Sequence, residues 1–170
     1  MLALLIIIVF VFIGAGIVQA QNGKLGKQDK KFIKEAVSGG MFEVKMGQMA
    51  EKQSSNEKVK SFGQRMVTDH SKANQELMDI LHKDGITPPT GMEKKDMHTY
   101  EKLSKLNGTK FDKEYMKTMV SDHEKDIKAF EKEAKKGSNA SLKDFASKTT
   151  PTLQEHLRLA KETRDEIEAK

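Results

Sequence analysis

Apolar and small residues recur every three to four positions along four long stretches of this chain, which is the spacing of an amphipathic α-helix. In the stretch that begins near Val59, for example, Phe62, Met66, His70 and Ala73 follow at that spacing. The sequence lacks the strict apolar–polar alternation that marks a half-buried strand. The pattern therefore predicts four long helices and one short one, over residues 28–53, 56–84, 93–106, 110–136 and 140–168.

Helix-breaking residues separate these stretches. The Pro-Pro pair at 88–89 cannot continue a helix, because proline lacks the backbone N–H and fixes φ. Gly85 and Gly137 are predicted to end the second and fourth helices. The hydroxyl of Ser55 is a suitable cap for the second helix, and Pro151 lies inside the fifth helix, where it predicts a kink.

The lengths of the connections predict how the helices pair. Tight turns join the first helix to the second and the fourth to the fifth, so each pair should form an antiparallel hairpin. About 25 residues separate the two hairpins, enough to cross the length of a bundle. We therefore expect an all-α, ferritin-like four-helix bundle: two antiparallel hairpins joined by a long crossover that contains the short helix.

Three glycines inside the first predicted helix suggest a close contact with a neighbouring helix. Gly39, Gly40 and Gly47 would each cost about 1 kcal/mol of helix stability relative to alanine. Glycine at such positions is typical of a helix face whose backbone approaches another backbone closely. No phosphate-binding loop is indicated, because no Lys-Ser/Thr pair follows these glycines.

The first twenty residues differ from the rest. Residues 2–18 are almost unbroken apolar sequence, and residues 18–20 offer the small side chains that a signal peptidase favours. This predicts an export signal over residues 1–20, a linker over 21–27 and the bundle domain over 28–169. A retained N-terminal anchor is the alternative, because no Lys or Arg precedes the run and its length approaches that of a membrane span.

Composition narrows the range of partners and sites. The net charge of +5 comes from 30 basic residues interleaved with 25 acidic ones, which is the pattern of a solvated helix surface. Nucleic acid binding needs a one-sided basic face, so we expect no nucleic acid partner, and membrane contact only through residues 1–20 if they are retained. The absence of cysteine excludes a lipid-anchored lipoprotein and thiolate metal sites. Protein partners and the oligomeric state, including a homo-oligomer, stay open.

Two nearly identical hexapeptides lie on the second and fourth predicted helices. They read RMVTDH at residues 65–70 and TMVSDH at residues 118–123, and each ends in Asp-His. The first copy belongs to the second helix of one hairpin, and the second copy to the first helix of the other. The repeat is therefore not a simple duplication of hairpins, and it suggests convergence on one site.

The two histidines of these hexapeptides, His70 and His123, fall on apolar helix faces, as does His156 on the fifth helix. At about 1.5 Å rise per residue, all three lie about 20–25 Å from a helix end, and Glu43 on the first helix lies about 15 Å from its own. One polar side chain from each long helix is thus predicted to meet near the middle of the bundle. The two remaining histidines lie off the apolar faces and are predicted to be exposed: His82 and His98.

Three interpretations of this cluster remain open. The four residues can bind a metal ion, they can form a closed hydrogen-bonded polar layer, or the histidines can be unrelated. Burying three imidazoles and a carboxylate is costly unless they satisfy one another or share a cation, which favours the first two interpretations. Four residues that lie directly before His70 and His123, or one helical turn before them, are predicted to support the site: Asp69, Asp122, Met66 and Met119.

The donor set limits the metals that such a site would hold. Neutral imidazole with one carboxylate suits zinc, copper, iron or nickel, and three His with Glu43 would complete a four-coordinate zinc site. A di-iron site is disfavoured, because it uses Glu-x-x-His on two helices and this chain has none. The thioethers of Met66 and Met119 make copper a further candidate, although buried methionine more often only fills space in the core. We therefore expect a divalent metal as cofactor, with zinc favoured over copper and iron.

Four segments, in this order, resemble an exported bacterial family: FEVKMGQMA (42–50), FGQRMVTDH (62–70), FDKEYMKTMVSDH (111–123) and LKDFASKTTPTLQEHL (142–157). The family is catalogued as domain of unknown function 4142, and the resemblance covers about residues 28–165. It implies a ferritin-like bundle in the periplasm or outer envelope of a Gram-negative bacterium, and no particular activity. It also implies that four residues match recurrent polar positions of the family: Glu43, His70, His123 and His156.

Two functions of different classes follow from these observations. The first is an exported envelope protein that binds a metal ion through the mid-bundle cluster, with a role in metal handling or stress. The second is a metal-free structural or interaction protein of the envelope, whose polar layer specifies packing. A third function, an oxidoreductase or hydrolase that uses the same cluster with an open coordination position, is less favoured because it needs a solvent path to the middle of the bundle. No catalytic residue is assigned.

Overall fold

A computed structural model describes residues 25–169, which form five helices and no strand. The helices are α1 (Lys27–Gln53), α2 (Glu57–Lys83), α3 (Lys94–Leu103), α4 (Gly108–Lys136) and α5 (Ala140–Glu168). The predicted signal peptide and most of the predicted linker lie outside the described residues. Within the described part, no helix is long and apolar enough to cross a membrane.

The helix ends agree with the prediction to within a few residues, with one error at a cap. Ser55 was predicted to cap α2, but Asn56 does so, because its side-chain oxygen accepts the backbone N–H of Lys58 at 2.9 Å. The Ser55 hydroxyl instead donates to Asp112 on α4 at 2.9 Å. Gly85 follows α2 with a positive φ of 67°, a conformation that glycine adopts without strain, so it ends the helix as predicted.

The long helices pair as two antiparallel hairpins. In the first, Gly47 of α1 lies against Gly63 of α2, while Gly40, earlier in α1, lies against Asn74, later in α2. In the second, the Lys161 ammonium of α5 lies 2.8 Å from Glu124 of α4, and the rings of Phe130 and Phe145 lie 5.9 Å apart further along. The predicted all-α layout of two hairpins is confirmed.

The crossover runs the length of the bundle. It leaves the end of α2 and reaches the start of α4 beside the α1–α2 turn, where Ser55 bonds to Asp112. On the way, α3 docks on α1 because Ser38 donates its hydroxyl to Asp96 and accepts the backbone N–H of Glu93 at 2.7 Å. The predicted crossover with a short helix is therefore confirmed.

The close contact predicted from the glycines of α1 occurs at two of the three positions. A Cβ at Gly47 would lie 2.5 Å from the backbone oxygen of Gly63, and one at Gly40 would lie 1.9 Å from the Asn74 side chain. Gly39 has ordinary space, since its nearest neighbour would be Asp126 at 3.8 Å. Gly47 and Gly63 therefore set the separation of α1 and α2.

α5 continues through Pro151 without interruption. Proline cannot donate to the carbonyl oxygen of Ser147, one turn earlier. Both residues are exposed, so water can hydrate the freed carbonyl. The predicted kink at this position stays a prediction.

Two apolar cores occupy the two halves of the bundle. The core near the α1–α2 turn includes Met46, Met66 and Met119, and the core at the opposite end includes Phe32 and Leu77. The midpoints of the four long helices lie between the two cores. Polar groups placed there are enclosed by apolar side chains on both sides, where a charge is costly.

Candidate metal centre

Each long helix contributes one buried polar residue to the middle of the bundle: Glu43 from α1, His70 from α2, His123 from α4 and His156 from α5. The centroids of the three imidazole rings form a nearly equilateral triangle with sides of 5.6, 5.2 and 5.4 Å. One ring nitrogen of each histidine lies within 4.8 Å of its counterparts. The structure thus brings together all four residues that the helix heights predicted to meet.

One nitrogen of each ring is held by an oxygen acceptor. His70 Nδ1 lies 2.8 Å from Glu43 Oε2, His156 Nε2 lies 2.8 Å from Asp69 Oδ2, and His123 Nδ1 lies 3.0 Å from the Met119 carbonyl oxygen. Each of these oxygens can accept a ring N–H, and in doing so it fixes the tautomer and the orientation of that ring. The remaining nitrogen of each ring then carries a lone pair.

The remaining ring nitrogens are buried without hydrogen-bond partners among the described residues; they are His70 Nε2, His123 Nε2 and His156 Nδ1. Glu43 Oε1 lies 3.4 Å from one of them, His123 Nε2, but without hydrogen-bond geometry. An unpaired buried polar atom costs about 1–3 kcal/mol. A ring held by an oxygen on one nitrogen and free on the other has the organisation of a metal-binding histidine.

Burial keeps the three rings neutral. It lowers the pKa of His70 and of His156 to about 4. Burial also lowers the pKa of His123 well below its ordinary value, and repulsion from His70 and His156 adds to this shift. Neutral imidazole is the form that binds a metal, so no proton has to be removed from these rings near neutral pH.

Glu43 lies between the rings of His70 and His123. Its side chain is 3% exposed, with Oε2 bound to His70 and Oε1 buried without a partner among residues 25–169. Burial raises the pKa of Glu43 well above its usual range, and the charge of Asp122 raises it further. A cation at the triad would favour the ionised carboxylate, which could orient His70 through one oxygen and offer the other as a ligand.

A four-coordinate metal would require the ring nitrogens of the triad to move closer together. Zn–N bonds of about 2.0–2.1 Å place tetrahedral nitrogens about 3.3–3.4 Å apart, whereas the ring nitrogens here lie within 4.8 Å of one another. Three imidazoles would fill three positions, which leaves the fourth for Glu43 Oε1 or water. When bound, such an ion would supply the positive charge with which the unpaired ring nitrogens and the Glu43 carboxylate could interact.

A second cluster escaped the sequence-based prediction. Carboxylate oxygens of Glu43, Asp122 and Asp126 all lie within 4.8 Å of one another. Asp122 was expected beside His123, but its carboxylate lies in this cluster. Burial raises its pKa to about 6, and burial also raises the pKa of Asp126 well above its usual range. Asp126 follows His123 by one helical turn, and this spacing was the available signal.

The other flanking residues have different roles from one another. Asp69 bonds directly to His156, as expected of a supporting residue. Met66 and Met119 are fully buried in the core near the α1–α2 turn, and Met119 contacts His123 through its backbone carbonyl. His82 and His98 are exposed, as predicted.

Comparisons with crystal structures agree with the helical fold. A DUF305 fragment from Deinococcus radiodurans superposes with a TM-score of 0.73 at 10% identity, covering 85% of this chain and 99% of that one. A DUF305 protein from Streptomyces coelicolor, proposed to be secreted, gives a TM-score of 0.71 at 14% identity, covering 82% and 92%. At these identities the likeness concerns the fold alone.

Sequence comparison assigns the family without assigning an activity. No functionally curated protein matches the chain. The profile of the domain of unknown function DUF4142 matches residues 16–163, which is most of the sequence. The resemblance expected from the four ordered segments is therefore confirmed, and the chain belongs to the DUF4142 family.

Proposed function

We propose that this protein is an exported bacterial envelope protein that binds one divalent metal ion, preferably zinc, through His70, His123 and His156. Two observations carry the proposal: each of three buried, neutral imidazoles brings one ring nitrogen within 4.8 Å of the others, and each ring has one nitrogen without a partner among the described residues. A closed hydrogen-bonded layer would use these nitrogens within the protein. Here one nitrogen of each ring faces an oxygen, and the other nitrogen has no partner among the described residues.

The donor set favours zinc over its competitors. Three imidazole nitrogens with one nearby carboxylate oxygen suit a tetrahedral d¹⁰ ion, which has no geometric preference of its own. Copper and nickel bind imidazole as well, so the preference for zinc has to be measured. The site also lacks the Glu-x-x-His pairs that di-iron centres use.

The small volume of the cavity beside the triad favours a site that binds an ion over a catalytic site. A cavity of about 20 Å³ adjoins Glu43 and His70, which is room for about one water molecule. A substrate of ordinary size would need a far larger cleft. The geometry therefore supports metal buffering or metal-dependent stabilisation rather than turnover of a substrate.

The proposal that the protein is exported rests on the residues that precede the bundle. Residues 1–20 have the apolar run and the small terminal residues of a signal peptide. An envelope protein meets metal ions from the environment before the cytoplasm does, which agrees with a buffering role. Detection of a mature chain beginning at Gln21 in the periplasmic fraction would support this part, and retention of the full chain in the membrane fraction would contradict it.

The test of the proposal is the metal content of untagged protein. Separate samples of the purified chain are stripped of metal, dialysed against zinc, copper, nickel or iron alone and then against metal-free buffer, and analysed by mass spectrometry for bound metal. We expect one zinc per chain, lost in His123→Ala and retained in His82→Ala, which removes an exposed histidine of α2. Substoichiometric metal in the wild type, or equal metal in His123→Ala, would refute the proposal.

A further inference from the structure

The carboxylate cluster lies between the surface and the imidazole triad. A groove of about 330 Å³ is bounded by α1, α3 and α4. Its lining includes Gly39, three aspartates and five lysines: Asp96, Asp122, Asp126, Lys31, Lys95, Lys125, Lys128 and Lys132. The small cavity beside the triad is lined in turn by Gly39, Asp126, Glu43 and others. Gly39 and Asp126 therefore line both spaces, and Asp126 stands at the boundary between them.

Gly39 leaves the Asp126 carboxylate uncovered from the α1 side. The nearest atom to a Cβ at this position would be Asp126 Oδ1, at 3.8 Å, with no other atom of the described residues within 4 Å. A long side chain on α1 at residue 39 would cover Asp126. The groove consequently reaches a carboxylate that also faces the interior.

Among residues 25–169, no Lys or Arg forms an ion pair with the carboxylates of the cluster, and Glu43 faces the neutral rings of His70 and His123. Their oxygens lie within 4.8 Å of one another, and the ammonium of Lys95, which lines the same groove, pairs with Glu93 at 3.2 Å. Glu43 Oε1, on a side chain that is 3% exposed, and Asp122 Oδ2 are both buried without hydrogen-bond partners among residues 25–169. Glu43 and Asp126 also share a hydrogen bond, which requires a proton on one of the two carboxyl groups. A cation bound between the three carboxylates would replace that proton and pair with the two unpartnered oxygens.

We propose that Glu43, Asp122 and Asp126 form a second cation site, made only of oxygen ligands, at the inner end of this groove. Carboxylate ligands suit hard divalent ions such as manganese, magnesium or calcium, whereas imidazole ligands suit zinc and its neighbours copper, nickel and iron. Glu43 borders both sites. The bundle then holds two cations of different chemistry side by side, and the oxygen site goes beyond the zinc site proposed above.

Manganese is the probe for this site, because its free aqua ion gives an electron paramagnetic resonance signal that disappears on binding. Zinc-loaded, untagged protein is titrated with manganese(II) after its zinc content has been measured. We expect one manganese per chain in the wild type and loss of that equivalent in Asp122→Asn/Asp126→Asn, which keeps its zinc. A matched control, Asp79→Asn/Asp144→Asn, removes two exposed carboxylates from α2 and α5 and keeps the manganese.

The two proposals fail in distinguishable ways. Zinc content reports on the imidazole triad, and a parallel manganese titration of metal-free protein reports on the carboxylates whether or not zinc binds. No manganese uptake by the wild type, or equal uptake by Asp122→Asn/Asp126→Asn, would overturn the oxygen site. The amides remove like-charge repulsion, so circular dichroism should show a folded variant; if it does not, the half-buried Asp122→Asn alone serves as the test.

Discussion

At the scale of single residues, the site depends on which nitrogen of each imidazole carries the proton. Glu43, Asp69 and the Met119 carbonyl each face one ring nitrogen, and these three oxygens leave the other nitrogens free for a ligand. The arrangement is asymmetric, since Asp69 reaches the surface while Glu43 is enclosed. Asp69 is therefore the support that can be removed with least damage to the core.

We predict that Asp69→Ala weakens zinc binding by about 10- to 100-fold, the range for loss of a hydrogen-bond partner to a ligating histidine. Without the Asp69 carboxylate, His156 can move its proton to Nδ1, the nitrogen that would face the metal. Competition with a chromophoric zinc chelator measures the change.

A neighbouring aspartate provides the control for this variant. Asp79 is exposed on the same helix and, within the described part of the chain, accepts only from Gln75, at 2.8 Å, so Asp79→Ala should leave zinc affinity unchanged. Equal affinities for the wild type and Asp69→Ala would show that Asp69 does not orient a ligand.

The sequence reveals the histidines but not the atoms that hold them. His70, His123 and His156 could be found because they interrupt apolar faces at similar heights. Asp126 and the Met119 carbonyl could not, because their contacts depend on how far each helix is rotated about its axis. A helix rotation smaller than the angle between successive residues decides which side of a ring faces a neighbour. The spacing of apolar residues does not define the helix rotation so finely.

A second residue-scale prediction concerns pH and a carboxyl far from the triad. Burial, together with a hydrogen bond to Asp29, raises the pKa of Glu133 to about 7. Asp29 is held in turn by the backbone N–H groups of Gly26, Ser138 and Asn139, at 2.6, 2.7 and 3.2 Å. These bonds tie the start of α1 to the turn between α4 and α5.

The folded protein binds the Glu133 proton more tightly than the unfolded chain does. The stabilisation is therefore fully present below the ordinary pKa of 4.5 and is lost as pH rises toward about 7. Relative to Glu133→Gln, the wild type should lose at most about 1.4 kcal/mol of unfolding free energy per pH unit in this window. Urea unfolding across the window measures the difference, and parallel profiles for the two proteins would contradict it.

At the scale of helices, the contact between α1 and α2 is set by two glycines. Gly47 and Gly63 let the two backbones approach so closely that a Cβ on either one would meet the other's carbonyl oxygen at 2.5 or 2.8 Å. Backbone atoms cannot move aside as the end of a long side chain can. The separation of α1 and α2 also fixes the distance between Glu43 and His70, since these residues lie on the same two helices.

We predict opposite effects for alanine at two glycines of α1. Gly47→Ala should destabilise the protein, because overpacking costs about 1–3 kcal/mol and exceeds the gain in helix propensity of about 1 kcal/mol. Gly39→Ala should stabilise it by up to about 1 kcal/mol, because its Cβ would meet only Asp126, at an ordinary 3.8 Å. Thermal unfolding of both variants gives the comparison, and stabilisation by Gly47→Ala would contradict the close contact.

Most of the helices were predictable because breakers and periodicity agree along this sequence. α5 has the bounds that the sequence predicts, since Gly137 and Asn139 precede it and its apolar positions recur without interruption. The prediction that Ser55 caps α2 was wrong because Ser55 and Asn56 are both good capping residues. The choice between them depends on Asp112, which lies 57 residues away from Ser55 and binds its hydroxyl.

At the scale of the whole molecule, the two apolar cores meet a polar layer that the protein alone leaves partly unpaired. Stability should therefore depend on metal. An ion present at 100 times its dissociation constant adds about 2.7 kcal/mol, which raises the melting temperature by about 5–10 °C in a chain of this size. Differential scanning calorimetry with zinc and with a chelator measures this shift.

A double substitution separates metal binding from packing. His70→Leu/His156→Leu should abolish the zinc-dependent rise, while its metal-free melting temperature equals or exceeds that of the metal-free wild type. The reason is that apolar replacement of a poorly satisfied buried polar group is often neutral or stabilising. A zinc-independent wild type would instead favour a structural polar layer.

The most direct measurement is X-ray absorption spectroscopy at the zinc edge of the untagged, zinc-loaded protein. The account predicts three imidazole nitrogens at about 2.0–2.1 Å with one further oxygen at a similar distance, and no sulfur near 2.3 Å. His123→Ala should lose one imidazole from this spectrum. A zinc ion surrounded by oxygens alone, or one whose imidazole count is unchanged in His123→Ala, would contradict the imidazole triad as the metal centre.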